Sequence, residues 1–287
     1  LKISHGAKVA NILIVGCGDI GGALALKLTA EGHQVTGLKR QPNSELSAIQ
    51  FIKADVSQLD ELAGLDFNYD QLVYILSPSA ANIAAYKAVF TEGVDNLLQQ
   101  LAEKKPTIAL TFVSSTRVYG QDQGEWLNED SKTDPTDERG EIILTAEKKF
   151  LAFNEQSTVI RFSGIYGRSN HLLNKLKAGA VIQQEPCYYT NRIHREDCIA
   201  VLDFLLNKKL QAGLSKRIYL ATDDEPVSQW QLASYLCAKL KYPEPSPQHL
   251  AKEAGANKRL DNARLKQEGY SFRFSSYKQG YREVSDE

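Results

Sequence analysis

Methionine is missing from all 287 residues, cysteine occurs four times and tryptophan twice, and neither sign of charge dominates. Each scarcity excludes something. Cys17, Cys187, Cys198 and Cys237 form no Cys-x-x-Cys pair and have no histidine beside them at metal-ligand spacing. Neither a metal site nor a disulfide scaffold is therefore expected, and the four read as small apolar or partly buried thiols of a reducing compartment. Lys and Arg number 34 against 35 Asp and Glu, a formal net charge of −1 with no long block of one sign. Nucleic acid and anionic membranes attract a basic surface, so neither is an expected partner. No apolar run approaches the roughly 20 residues of a membrane span, and residues 1–8 carry no apolar stretch of signal-peptide type, so the expected location is the cytoplasm. The complete lack of Met is improbable for an intracellular chain of this length.

What is present is a core and a rhythm. Hydrophobic residues make up 43% of the chain, enough to bury one large domain or two modest ones. Short β-branched runs at Val9–Val15, His33–Leu38, Phe51–Asp55, Leu72–Leu76 and Ile108–Val113 read as buried strands. Helical stretches separate them, from Gly22 and from Ile83 to Leu101 among others. Strands alternating with helices predict an α/β fold, a doubly wound parallel sheet of Rossmann type. Residues 121–140, polar and acidic with a proline, predict a long loop crossing an active-site edge.

The first chemistry lies in Gly16, Cys17, Gly18, Asp19, Ile20 and Gly21, which follow a strand and open a helix. In that context Gly-x-Gly-x-x-Gly is a dinucleotide turn. Gly16 permits the tight bend, Gly18 removes the side chain that would block a pyrophosphate, and Gly21 lets helix and strand pack closely. A site for NAD usually ends the next strand with an acid that holds the ribose 2′-hydroxyl. This chain ends it with Lys39 and Arg40 instead. Two cations suit a 2′-phosphate, so the expected cofactor is NADP, with NAD second; the bland alternative is a pair of solvated charges.

Further stretches run in a recognisable order. Asp55 and Val56 follow the third strand, and Ser77 and Pro78 follow the fourth. Ser114 to Gly120 (S-S-T-R-V-Y-G) follows the fifth; Val159 to Gly167 and Asn191 to Asp197 come later. With these the chain resembles the extended short-chain dehydrogenase/reductases, the NAD-dependent epimerase/dehydratase family. The resemblance implies that Asp55 and Val56 meet the adenine, that Ser77 and Pro78 border the nicotinamide ribose and that Ser114 also binds the cofactor. It places Ser115 where the family keeps the Ser or Thr that binds the reacting oxygen; a hydroxyl capping a strand end is the competing reading. It also implies a Rossmann domain of residues 1–162, rejoined by 190–222, and a small substrate lobe of 163–189 and 223–287. Relatives pair through a four-helix interface, which implies a homodimer built on residues 83–101 and 140–153.

One signature is absent. The family's Tyr-x-x-x-Lys supplies a proton and holds the ribose. Aligning Ala146 and Glu147 with the family's Ala-Glu puts Arg139 at the Tyr position and Ile143 at the Lys position, and no Tyr lies between Tyr119 and Tyr166. The chain thus resembles an atypical branch. Arg139 cannot be a general acid at neutral pH but can hold an anion or an oxyanion. His194 titrates in a suitable range; a hydrogen-bonded residue at the domain junction is the alternative. Asp197 is expected to cap a helix of residues 198–206. Residues 258–265 resemble a segment whose cations hold phosphates in nucleotide-sugar relatives, or else form a solvated helix face. Two functions follow: an oxidoreductase or epimerase acting on a hydroxyl or keto group of a small, sugar-derived molecule, or an NADP-holding protein that reports to a partner without turnover.

Overall fold

The computed structural model describes residues 9–42, 48–250 and 256–282. Seven strands make the main sheet: β1 (Asn11–Val15), β2 (Gln34–Lys39), β3 (Gln50–Lys53), β4 (Gln71–Tyr74), β5 (Ala109–Ser115), β7 (Thr158–Phe162) and β12 (Ile218–Ala221), in the order β12-β7-β5-β4-β1-β2-β3. Pairs β1–β2, β1–β4, β2–β3 and β4–β5 are parallel. Strands β4 and β7 are buried at every residue, as a sheet covered on both faces requires. The order reverses between β1 and β4. That is the switch point at which open α/β sheets bind ligands, beyond the carboxyl ends of their strands.

The helices are α1 (Asp19–Ala30), α2 (Leu59–Ala63), α3 (Ile83–Lys87), α4 (Gly93–Lys104), α5 (Glu138–Phe153), α6 (His171–Lys177), α7 (Arg195–Gln211), α8 (Gln229–Leu240), α9 (Ala263–Gln267) and α10 (Tyr277–Gly280). The helix expected over 83–101 is longer and interrupted, because a π-helical turn, Ala88–Glu92, joins α3 to α4. The Tyr74 hydroxyl donates to the Val89 carbonyl in that turn at 2.6 Å, satisfying a group the widened spiral leaves over. A Cβ on Gly93, just beyond, would lie 2.8 Å from the same hydroxyl.

The chain divides into two compact units. The first holds residues 1–118, 137–161 and 199–219, and the second holds 119–136, 162–198 and 220–287. This division cuts the chain at more points than the expected 1–162, 163–189, 190–222 and 223–287. In the first unit Tyr74, Phe112 and Phe150 pack together, with Phe112 stacked on Phe150 at 4.7 Å, which seats α5 on the sheet. The second has a core of its own, in which Tyr166, Leu176, Leu236 and Tyr277 are buried.

Short strands build the second unit: β6 (Glu125–Leu127), β8 (Gly164–Tyr166), β9 (Val181–Glu185), β10 (Tyr189–Thr190), β11 (Arg192–His194), β13 (Val227–Ser228), β14 (Ser246–His249) and β15 (Lys258–Leu260). They pair as β6–β15, β8–β11, β9–β14 and β10–β13. Three expectations are corrected here. The stretch 121–140 is not all loop, since it carries β6 and the start of α5. Residues 258–260 are strand rather than a solvated helix face. Lys258 is buried with its Nζ donating to the Tyr119 carbonyl at 2.6 Å, and the Arg259 guanidinium lies between the rings of Trp126 and Tyr189. Asp197 does not cap a helix from outside. It lies in the first turn of α7, fully buried, and accepts from the Tyr270 hydroxyl and the Arg273 and Phe274 N–H groups.

Candidate functional site

Parallel strands deliver their following residues to one edge. The carboxyl ends of β1, β2, β3, β4 and β5 and the residues just after them therefore bring Gly16–Gly21, Lys39 and Arg40, Asp55 and Val56, Ser77 and Pro78, and Ser114 and Ser115 to the carboxyl edge of the first unit.

The three glycines of the turn are glycine for different reasons. Gly16 has φ +109°, and a Cβ there would lie 2.3 Å from the Ile75 carbonyl oxygen. A Cβ on Gly21 would lie 2.1 Å from the Gly16 carbonyl oxygen. Both are fixed by the protein's own packing. Gly18 is exposed at φ −79°, and a Cβ there would meet nothing within 4 Å. Packing does not demand a glycine there, and the space it leaves open fits an incoming group. Gly18 is also the N-cap of α1, whose first turn receives no side-chain cap. A pyrophosphate laid in this open cradle would meet the N–H groups of that turn. The residues present therefore fit a dinucleotide.

Cys17 contributes only backbone to the turn. Its side chain points inward, Sγ lying 3.6 Å from the Ile14 carbonyl oxygen and 2.6 Å from where a Cβ on Gly37 would stand. Burial pushes its thiol up to about 11 against the opposing pull of Lys39. Of the four cysteines only Cys187 is exposed. Iodoacetamide at pH 8 is expected to alkylate Cys187 alone in the native protein and all four after denaturation, as mass spectrometry would read; native labelling of Cys17 would contradict this placement.

Beyond β2, the Arg40 guanidinium lies 3.7 Å from the Asp55 carboxylate, with 64% of its side chain exposed. Such a pair is weak and screened, so an arriving anion can compete for the arginine. Asp55 also accepts from the Ser57 N–H and hydroxyl, at 3.0 and 2.9 Å. At the end of β5 the two serines part company. Ser114 turns inward and donates to Glu147 at 2.5 Å, within a buried pair of Glu147 and Arg161. Ser115, half-buried, accepts from the Arg117 N–H at 3.2 Å. Arg117 grips Asp137, the N-cap of α5, whose carboxylate also accepts from the Gly140 N–H; the guanidinium holds that carboxyl below the usual range. This clamp joins the end of β5 to the start of α5.

Arg139 stands in the first turn of α5, its guanidinium 3.4 Å from the Ala81 carbonyl and 5.8 Å from the Tyr86 ring centre. Ile143, one turn on, is buried. His194 belongs to the second unit. Its ring packs on Phe274 and edge-on to Tyr166, its Nδ1 accepts from the Glu196 N–H at 3.2 Å, and burial lowers its pKa. It is a hydrogen-bonded ring whose neutral form burial favours. Sequence reasoning missed both ion pairs, Arg117–Asp137 and Glu147–Arg161. A signal for the second existed, because Arg161 is a cation inside the otherwise apolar run Val159–Phe162.

The sequence profile of the NAD dependent epimerase/dehydratase family matches residues 12–212. The chain belongs to that family. Protein YeeZ of Escherichia coli (strain K12) is 28% identical over 204 residues, 68% of this chain and 73% of that protein. The structure of a candidate NAD-dependent epimerase/dehydratase from Methylobacillus flagellatus matches at TM-score 0.78 and 34% identity, over 96% of this chain and 97% of that one. A dTDP-glucose 4,6-dehydratase from Bacillus anthracis str. Ames, solved in complex with NAD, matches at TM-score 0.77 and 17% identity, over 95% and 94% of the two chains. At that identity the likeness shows the fold. Among the described residues of this family member, no helix is long and apolar enough to cross a membrane and no cluster of His, Cys, Asp and Glu could hold a metal.

Proposed function

We propose that this epimerase/dehydratase family member binds NADP in preference to NAD and acts as an oxidoreductase or epimerase on a hydroxyl or keto group of a small, sugar-derived molecule. The observation that supports the dinucleotide half is the space beside Gly18, which no protein atom fills at the N-terminus of α1. Lys39 and Arg40 at the end of β2, where an NAD site usually carries an acid, support the 2′-phosphate. When bound, the nicotinamide supplies or accepts hydride. The chain's own part is to bind and orient: Ser115 hydrogen-bonds the reacting oxygen, and Arg139 holds negative charge near the segment after β4.

The test is calorimetric titration with NADPH and NADH, on the native chain and on a Lys39→Ala/Arg40→Ala variant. Charge-assisted hydrogen bonds of about 1.5–3 kcal/mol predict a preference for NADPH of roughly tenfold to a hundredfold, lost in the variant. Equal affinity for the two cofactors in the native chain would refute the NADP assignment. Arg139 and Ile143, where relatives keep Tyr and Lys, favour a second reading as an NADP-holding protein without turnover. Oxidation of NADPH in a screen of keto sugars supports the enzyme; tight binding with no oxidation supports the second reading.

A further inference from the structure

Helix α5 begins with a cation where an acid would be favoured. The first turn of a helix presents free N–H groups and the positive end of its dipole, so carboxylates suit it and a guanidinium does not. Asp137, Glu138 and Glu141 follow that rule at the start of α5, and Arg139 breaks it. An acid of its own would offset the cost, but none is committed to Arg139. Glu138 pairs with Lys87 at 3.0 Å, and Glu141, two residues on, does not face Arg139 on the helix surface. Asp137 comes nearest, at 4.0 Å. Its oxygens are already engaged: Oδ1 accepts from Arg117 Nε at 3.0 Å and from the Gly140 N–H at 2.8 Å, and Oδ2 accepts from Arg117 Nη2.

A guanidinium offers five N–H donors. Among the described residues Arg139 makes one hydrogen bond, to the Ala81 carbonyl at 3.4 Å, beyond the usual length of such a bond. Its side chain is 31% exposed, so its other donors are open to an arriving acceptor. Position adds to chemistry. Ala81 belongs, with Ser77 and Pro78, to the segment that follows β4 at the carboxyl edge of the sheet. The grip of Arg117 on Asp137 ties the end of β5 to the turn that carries Arg139. The Arg117 N–H also donates to Ser115 Oγ at 3.2 Å, which uses a lone pair and leaves the Ser115 hydrogen to donate elsewhere. One neutral and one charged donor thus stand at the same edge of the first unit, linked through Arg117 and Asp137.

We propose that the substrate carries an anionic group, a carboxylate or a phosphate, which Arg139 binds while Ser115 donates to the reacting oxygen. This rests on the dinucleotide-dependent reading above and narrows its substrate to an acidic sugar derivative. The surplus cation is the ground for it. Arg117 and Asp137 neutralise one another in a two-bonded pair, and so do Lys87 and Glu138 in a simple one, which leaves the charge of Arg139 for the ligand. Paired N–H donors hold carboxylate and phosphate alike, so the shared chemistry is an oxyanion with two acceptor oxygens. The anionic group is a different part of the substrate from the reacting oxygen, because Arg117 and Asp137 stand between Ser115 and Arg139 in the chain of contacts. A neutral sugar would leave the guanidinium as it is in the free protein and gain nothing from it.

The test is nuclear magnetic resonance of the arginine Nε–H signals of the isotopically labelled whole chain. The chain is saturated with NADP, so that the dinucleotide's own phosphate sites are filled, and titrated with sodium acetate or inorganic phosphate at constant ionic strength, with chloride as the comparison. The Arg139 signal, identified by its loss in Arg139→Gln, should move saturably with one or both probes, at a half-saturating concentration at least about tenfold below that of chloride. The Arg117 signal, held by Asp137, should stay in place. Tighter acetate binding assigns a sugar acid, and tighter phosphate binding a sugar phosphate. Should Arg139→Gln fail to fold, Arg139→Lys identifies the same signal. An Arg139 signal that stays put, or that moves in step with Arg117 and no more readily than with chloride, overturns this assignment alone when calorimetry shows NADP bound. A chain that takes up no dinucleotide overturns the earlier reading and this one with it.

Discussion

Gly18→Ala is expected to weaken NADPH binding about a hundredfold while lowering the melting temperature by no more than about 3 °C. The added methyl meets no protein atom within 4 Å, and φ is −79°, outside the left-handed region. The only cost to the fold is a poorer N-cap for α1, worth about 1 kcal/mol at most. The cost to binding is large because the methyl occupies the space through which a pyrophosphate reaches the helix N–H groups. Gly16→Ala and Gly21→Ala should behave in the opposite way. Their methyls would stand 2.3 Å and 2.1 Å from backbone carbonyl oxygens, so the turn must rearrange and stability falls by several degrees before any ligand is added. Thermal melts and NADPH titrations of the three variants separate the cases. If Gly18→Ala binds NADPH as the native chain does, this turn is not the phosphate cradle.

That contrast also marks how far the sequence was legible. The first five strands and the glycine turn were readable because a buried parallel strand is a continuous β-branched run and a dinucleotide turn has fixed spacing. The family resemblance supplied β7, whose residues Val159–Phe162 match one of its later segments. Strands β6, β14 and β15 were not readable. Each is three or four residues long, and β6 exists only because Lys258–Leu260, more than a hundred positions on, comes to lie beside Glu125–Leu127. No local period announces such a pairing. The π turn was hidden for a similar reason, since it depends on Tyr74 of a neighbouring strand reaching the Val89 carbonyl. In the candidate site the residue types were visible, but not which faced which. Ser114 and Ser115 look equivalent in sequence, yet one is committed to the interior and one stays near the edge.

The commitment of Ser114 leads to the second large effect. Glu147 and Arg161 are 1% and 4% exposed at their side chains. Arg161 Nε donates to both carboxylate oxygens at 3.0 and 3.2 Å and Nη2 donates at 2.7 Å, while Ser114 adds its hydroxyl. Replacing Glu147 with Leu leaves a guanidinium and a hydroxyl in the interior without their shared acceptor. The expected loss is about 3–5 kcal/mol, or on the order of 10 °C in Tm. Arg161→Met alone should also destabilise, by burying the carboxylate without its cation. The double variant Glu147→Leu/Arg161→Met should recover most of the loss, because two apolar chains of similar length need no counter-charge. Urea melts of the three variants form the cycle, and additive losses would show that the two residues do not act as a pair. The pair also reaches the candidate site. Glu147 lies on α5, which carries Arg139; Arg161 lies on β7; Ser114 precedes Ser115 on β5. One buried carboxylate thus ties together three elements of the first unit. The double variant, though restored in stability, should therefore bind NADPH normally only if packing alone holds Ser115 and Arg139 in place. A stable double variant with weakened NADPH binding would show that the polar bond itself sets their positions.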